Sequence, residues 1–311
     1  MIYCSGSIAY DRIMNFPGRF SDHILPNKIH QISVSFYLEK FNESFGGTAG
    51  NIAYNLALLG EKVEVVGLAG NDFSKYQKWL RQNKIGTRFI KIIKTEPTAA
   101  AYMMTDQNDN QISGFYPGAM KQVGYYKNVK LPKAKLACVA ADSPQAAYAL
   151  ARYYKKNNTP YIFDPGQIII VLTKQQLLDG LNGCDVFISN DYELALILKR
   201  TGLSKSQLKK KVPIVVTTLG AKGSIIEDNK NNQRYKIPAA KPKNTSDPTG
   251  AGDAYRAGLI KGMMENYSWP KVGRLASTVA VYAVEKYGTQ THTFTWSQLK
   301  ARYKKNFGTT L

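Results

Sequence analysis

Cysteine is scarce in this chain of 311 residues. Cys4, Cys138 and Cys184 are the only three, and no two stand in C-x-x-C spacing. That excludes a disulfide scaffold and a cysteine-based zinc site, and predicts buried free thiols in a reducing, cytoplasmic setting. Histidine is as rare, and His23, His30 and His292 show no metal-ligand spacing. No run of about 18 apolar residues occurs, so no membrane span is expected. The start, Met1-Ile2-Tyr3-Cys4-Ser5-Gly6, lacks the basic segment and apolar core of a signal peptide. Internal repeats and low-complexity linkers are missing too. Acidic residues are few: 22 Asp and Glu against 42 Lys and Arg give a net charge of +20. Such a charge fits a nucleic-acid binder. However, the lysines are dispersed or in short clusters such as Lys209-Lys210-Lys211, and no helix-turn-helix, zinc-finger or RNP pattern is present. No specific nucleic-acid partner is therefore expected, and the charge is read as aiding solubility and attracting anionic nucleotides.

What the chain does have is alternation of strand-like and helical patterns over most of its length. Val63–Leu68, Leu136–Ala141, Tyr161–Asp164, Asp185–Ser189 and Ile214–Thr218 read as buried strands. Helices are predicted near Phe73–Lys84, from Ser143-Pro144 to about Lys156, at Ile52–Leu59, Gly250–Glu265 and Lys271–Lys286. Thr173-x-x-Gln176 and Ser204-x-x-Gln207 read as capping boxes opening two more. This order implies a mostly parallel sheet covered on both faces, with ligands at the carboxyl ends of its strands. Residues 13–45 and 96–118 break the pattern. They read as extended, the second around an Asp/Asn-rich turn at 106–110, and together predict a small β lid. The rest, 1–12, 46–95 and 119–311, forms the α/β domain.

One stretch carries chemistry on its own. Asp247-Pro248-Thr249-Gly250-Ala251-Gly252-Asp253 sets a Gly-Ala-Gly turn before a helical pattern and an aspartate in its first turn. Unpaired N–H groups at a helix N-terminus attract anions, and small residues let a phosphate approach them. The Asp253 carboxylate is then within reach of whatever attacks that phosphate, so the run reads as an anion cradle plus a base. A plain Gly-rich turn with a helix-start carboxylate is the alternative. Two further runs are weaker. Gly46-Gly47-Thr48-Ala49-Gly50-Asn51 is either a hinge with an amide for hydroxyl groups or a simple loop-to-helix turn, and it is no Walker A loop, because Gly-Lys-Ser/Thr does not follow. Asn190-Asp191-Tyr192-Glu193 closes a strand and opens a helix, with Asn190 and Glu193 on one face. It serves as a helix cap, a Mg²⁺ carboxylate, or both.

The Asp247–Asp253 run resembles the C-terminal signature of the ribokinase-type (PfkB) carbohydrate and nucleoside kinase family, with Pro248 where that family usually has Thr. The GG-x-x-x-N, N-x-x-E and T-x-G-x-x-G elements occur in family order, so the resemblance spans residues 6–258. It implies a ribokinase-like three-layer α/β/α sandwich with a small β-sheet lid. It also implies that Asp11, at the carboxyl end of the first strand, and Gly46, Gly47 and Asn51 bind the acceptor. Asn190, Thr218, Gly220, Gly223, Asp247, Thr249, Gly250 and Gly252 bind ATP, and Glu193 with Asn190 organises Mg²⁺. Asp253, with the amides of Gly250, Ala251 and Gly252, performs the transfer. A monovalent cation is left open, as is a monomer or a homodimer paired through the lid. Gly70 stands near the substrate or is purely structural.

Gly114–Met120 and Gly288–His292 look most like bacterial and archaeal adenosine or nucleoside kinases. Phe115 and Tyr116 either stack a purine or fill the lid's own core. The expectation is an ATP-dependent kinase acting on a primary hydroxyl, foremost the 5′-OH of adenosine or a related nucleoside. A sugar kinase for ribose, fructose or a sugar phosphate is the rival within the family. A catalytically silent nucleotide binder and a nucleic-acid binder are the rivals outside it.

Overall fold

The computed structural model describes residues 1–108 and 110–311; Asp109, which the sequence reading put in an Asp/Asn-rich turn, lies outside the described residues. The chain opens with β1 (Ile2–Ser5), β2 (Ala9–Asn15), β3 (Lys40–Gly46), α1 (Thr48–Leu58), β4 (Val63–Gly70), α2 (Ser74–Gln82) and β5 (Gly86–Ile93). Then come β6 (Ala99–Thr105), β7 (Gln111–Tyr116), β8 (Leu136–Val139), α3 (Pro144–Lys156), β9 (Tyr161–Phe163) and α4 (Lys174–Leu181). The last part holds β10 (Val186–Asn190), α5 (Asp191–Thr201), α6 (Lys205–Lys211), β11 (Ile214–Thr218), β12 (Ser224–Asp228), β13 (Gln233–Ile237), α7 (Ala251–Met264), α8 (Trp269–Val284) and α9 (Trp296–Phe307).

Nine strands form one sheet in the order β13-β12-β11-β10-β9-β8-β1-β4-β5, parallel from β11 to β5 and antiparallel only at the β11–β12–β13 edge. Successive strand residues point to opposite faces, and both faces are covered. Ile2 and Cys4 of β1, Val186 and Ile188 of β10, and Ile214 and Val216 of β11 pack with α1, α7, α8 and α9. Tyr3, Phe187 and Val215, between them in sequence, pack with α3, α4 and α5. This is the three-layer α/β/α arrangement. The four expected caps form: Ser143, Thr173, Ser204 and Asn190 each accept from the backbone N–H three residues on.

The chain runs outward from β1 through β4 to β5, then returns to the other side of β1 at β8. That reversal is the switch point, where loops diverge and leave a crevice. Above it stands a second sheet, β3-β2-β6-β7. Its strands cover less of the sequence than the extended reading of 13–45 and 96–118, and the first of them starts earlier. β2 begins at Ala9, and residues 16–39 hold no strand. The polar and aromatic alternation that suggested strands there instead wraps a small aromatic cluster, with Phe16, Phe20, His23 and Phe36 at ring distances of 4.8–5.9 Å.

Candidate active site

Five carboxyl-end loops of the large sheet converge on one cavity of about 410 Å³: Ser7 after β1, Ala141 after β8, Asp164 after β9, and Asn190 and Thr218 closing β10 and β11. Asp11 and Ala101 reach it from the smaller sheet, Gly47, Thr48 and Asn51 from α1, and Gly250, Gly252, Asp253 and Arg256 from the head of α7. A second cavity of about 500 Å³ lies on the other side of that helix head. It is walled by Ala239, Ala280, Val281 and Val284 and floored by Gly220 and Gly223. Both cavities are lined by Thr218 and Gly252, so they meet at the first turn of α7.

Gly250 has φ of 78°, a left-handed turn that throws the next amides toward the crevice. Among the described residues the N–H groups of Gly250, Gly252 and Asp253 find no protein acceptor, whereas the Ala251 N–H turns back to the Pro248 carbonyl at 3.1 Å. That corrects one expectation: three amides of this turn, all in residues that line the cavity, are unpaired among the described residues, and the Ala251 amide is spent locally. Asp247 lines neither cavity. It accepts from the Thr249 N–H at 2.8 Å and the Gly288 N–H at 2.9 Å, clamping the turn to the loop after α8. Those bonds outweigh the cost of burial and hold its carboxyl below the ordinary range.

Asp253 is half-buried, and its Oδ2 accepts from Asn51 Nδ2 at 2.9 Å. Burial pushes its carboxyl up to about 7, against the pull of Arg256 and Asn51. Arg256 sits one helical turn away and forms a buried ion pair with Asp164, with Nη2 to Oδ1 at 2.6 Å and Nε to Oδ2 as the second arm. Neither member was singled out from the sequence. Arg256 follows Asp253 by three positions and so shares its helix face, and Asp164 ends a strand that was already recognised.

The structure departs from the sequence reading at Asp11 and Asn51. Asp11 lies within β2 of the smaller sheet, opposite Ser44 and Ala101, rather than in a loop at the end of β1. Its carboxylate touches Gly46, where a Cβ would fall 2.3 Å from Oδ2, and accepts from Thr289 Oγ1 at 3.3 Å. Burial raises it to about 6. α1 starts at Thr48 and not at Ile52, because Gly47 (φ of 83°) already makes the turn; Asn51 therefore stands in the first turns of the helix. Gly70 packs against Pro97 and Thr98, away from the cavity. Phe115 and Tyr116 are 52% and 40% exposed and fill no core; Phe115 lines the cavity mouth.

Glu193 Oε2 accepts from the Asn190 N–H at 2.8 Å, and Asn190 Oδ1 accepts from the Glu193 N–H at 2.7 Å. Glu193 Oε1 makes no bond to the protein among the described residues, and burial lifts the carboxyl above its usual value. The capping bond takes one lone pair of the Asn190 side-chain oxygen, and its NH₂ group is a donor suited to a phosphate oxygen. Among the described residues no three His, Cys, Asp or Glu cluster as a metal cage.

A crevice at a sheet's switch point, two cavities joined at a helix head with bare amides, and a carboxylate beside them define a phosphotransferase that moves a phosphoryl group between two ligands. The pfkB family carbohydrate kinase model matches residues 7–296. A nucleoside kinase of Methanothermobacter thermautotrophicus is 31% identical over 89% of this chain and 90% of its own. A nucleoside kinase of Burkholderia thailandensis, solved in complex with inosine, superposes with a TM-score of 0.89 at 31% identity over the whole of both chains. Its complex with ADP-inosine gives 0.86 at 34% identity, covering 100% of this chain and 97% of that one. The chain belongs to the pfkB family of carbohydrate kinases. It is an ATP-dependent kinase with a hydroxyl group as acceptor.

Proposed function

We propose that the acceptor is a nucleoside, phosphorylated on its 5′-hydroxyl, with adenosine and inosine as the first candidates. The observation that carries this reading is the junction of the two cavities at Gly252 and Thr218 beside Asp253. The apolar cavity suits the adenine of ATP, which leads its phosphates to the head of α7. The polar cavity offers Asp11 for two adjacent ribose hydroxyls, and Phe115 at its mouth offers a face for a flat base. The relatives' substrates point the same way.

In this reading Asp253 Oδ1, without a protein partner among the described residues, takes the proton of the 5′-hydroxyl. The new O–P bond forms as the bond from the terminal phosphorus to the β-phosphate oxygen breaks, and ADP leaves with that electron pair. The unpaired amides of Gly250, Gly252 and Asp253 stabilise the charge on the moving phosphoryl group. Mg²⁺, when bound, neutralises the nucleotide phosphates; Glu193 Oε1 is the oxygen that would hold its hydration shell, and the Asn190 amide would bind a phosphate. The smaller sheet acts as a lid that keeps water from the reaction.

An ADP-release assay with adenosine, inosine, ribose and fructose tests the proposal. Turnover with the nucleosides, with kcat/KM at least about tenfold above the free sugars, is expected. Turnover confined to free sugars would overturn it.

A further inference from the structure

We propose that Gln290 is a positioning residue for Asp253: held by Trp79, it fixes the Asn51 amide so that its NH₂ group, and not its oxygen, faces the base. The inference rests on the reading of Asp253 as the proton acceptor. An Asn or Gln amide can turn over and exchange donor for acceptor. Here one group removes the ambiguity. The Trp79 indole N–H can only donate, and it donates to Gln290 Oε1 at 3.0 Å. The other end of the Gln290 amide is therefore NH₂. It donates to Asn51 Oδ1 at 3.0 Å, which turns Asn51 Nδ2 toward Asp253 Oδ2 at 2.9 Å. Each link dictates the next, and the last favours an ionised Asp253 that accepts.

The same NH₂ group also donates to the Tyr76 hydroxyl at 2.6 Å, and Tyr76 passes its own proton to the Gly46 carbonyl at 2.7 Å. Burial holds the Tyr76 phenol well above its ordinary pKa, so it stays neutral and able to donate. Gln290 thus joins the base to the end of β3 in the smaller sheet. Two costs are borne to place it. Gln290 has φ of 57°, a left-handed conformation that non-glycine residues adopt at a cost. Position 50 is glycine where a Cβ would lie 1.9 Å from the Tyr76 oxygen. Gln290 is 4% exposed and touches neither cavity, so it acts through Asn51.

The test substitutes Gln290→Glu, which keeps the acceptor for Trp79 but presents an acceptor to Asn51 as well. Asn51 then turns its oxygen to Asp253. The groups otherwise facing Asp253 are unchanged: Arg256 on α7, Asp164 after β9, Asp11 on β2, Tyr76 on α2, Cys4 on β1 and Cys138 on β8. We expect kcat to fall on the order of tenfold. The acidic limb of its pH profile should move up by about one unit, with the KM for ATP unchanged. Trp79→Phe, which frees the Gln290 amide to invert, should shift the limb the same way by less, and it carries the test if the glutamate variant does not fold. Carbon-13 NMR of aspartate-labelled protein, with Asp253 assigned through Asp253→Asn, reads the same titration without turnover. The relay is therefore judged separately from the choice of acceptor. A folded Gln290→Glu or Trp79→Phe protein in which Asp253 titrates as in the parent, with only the melting temperature lowered, overturns the proposal.

Discussion

Asn51 and Asp253 stand 202 positions apart in the chain and meet at 2.9 Å, the first turns of α1 locked to the first turn of α7 across the mouth of the sheet. One carboxylate oxygen is engaged by that bond, and the other has no protein partner among the described residues. Burial, more than this bond, sets the basicity of Asp253. Burial pushes Asp253 up to about 7, while Arg256 and Asn51 keep it from rising further. A base is most effective when its pKa lies near the working pH.

The first expectation follows from that value. Asp253 must be ionised to take a proton, so kcat/KM for the acceptor should fall as pH drops through about 7 and level off above it. Asp253→Asn should lower kcat at least ~10²-fold and abolish that limb, with ATP affinity nearly unchanged by isothermal titration. A variant that keeps near-normal turnover would remove Asp253 from the mechanism.

The same shift has a consequence for stability. A carboxyl that binds its proton more tightly when folded than when unfolded favours the fold below the unfolded pKa. That contribution is lost as pH rises from 3.8 to about 7. At pH 8 the charge works against the fold, in the manner of active sites that trade stability for function. Asp253→Asn retains an acceptor for Asn51 and should melt a few degrees above the parent at pH 8. The gap should close toward pH 4. A gap that widened in acid would contradict the assignment.

Arg256 and Asp164 supply a third test. Removing one partner of a buried ion pair strands the other, at a cost of about 3–5 kcal/mol. Asp164→Ala should therefore lose stability of that order in urea unfolding. Replacing both with Leu at 164 and Met at 256 should recover most of it, yet leave the enzyme altered. Without the guanidinium, Asp253 loses its strongest charge stabiliser, and the acidic limb should move above 7.

The local rules were readable where the sequence states them locally. The capping boxes at Thr173, Ser204 and Asn190, the Pro at the start of α3 and the Gly-Ala-Gly head of α7 all follow from contacts within a few residues. Parallel strands buried on both faces announce themselves as short apolar runs, which is why β4, β8, β10 and β11 were legible. β12, β13 and α9 were not, since an edge hairpin with exposed residues and a charged helix carry weak periodicity. Asp11 was misplaced because the chain crosses from β1 of the large sheet to β2 of the smaller one through only three residues, Gly6–Ile8, and nothing in Gly6–Asp11 marks the change. The Trp79–Gln290–Asn51 chain joins segments more than 200 positions apart, and only folding brings their side chains together.

The last expectation concerns the base of the acceptor. Phe115 is half-exposed on β7, a strand with no buried residue, and its ring stands at the mouth of the polar cavity. An exposed aromatic adds little to the core, so Phe115→Ala should leave the melting temperature within about a degree, in line with a surface change. If a purine stacks on that ring, its loss removes roughly 1 kcal/mol of contact. The KM for adenosine or inosine should then rise several-fold, with the KM for ATP and the kcat at saturation nearly unchanged, because the ring lines the polar cavity and not the apolar one. Phe115→Tyr preserves the face and should restore the parent KM. An acceptor without a base has nothing to stack, so any residual turnover of ribose should be indifferent to both variants. Equal losses for ribose and for nucleosides would place the effect in lid closure instead of base recognition.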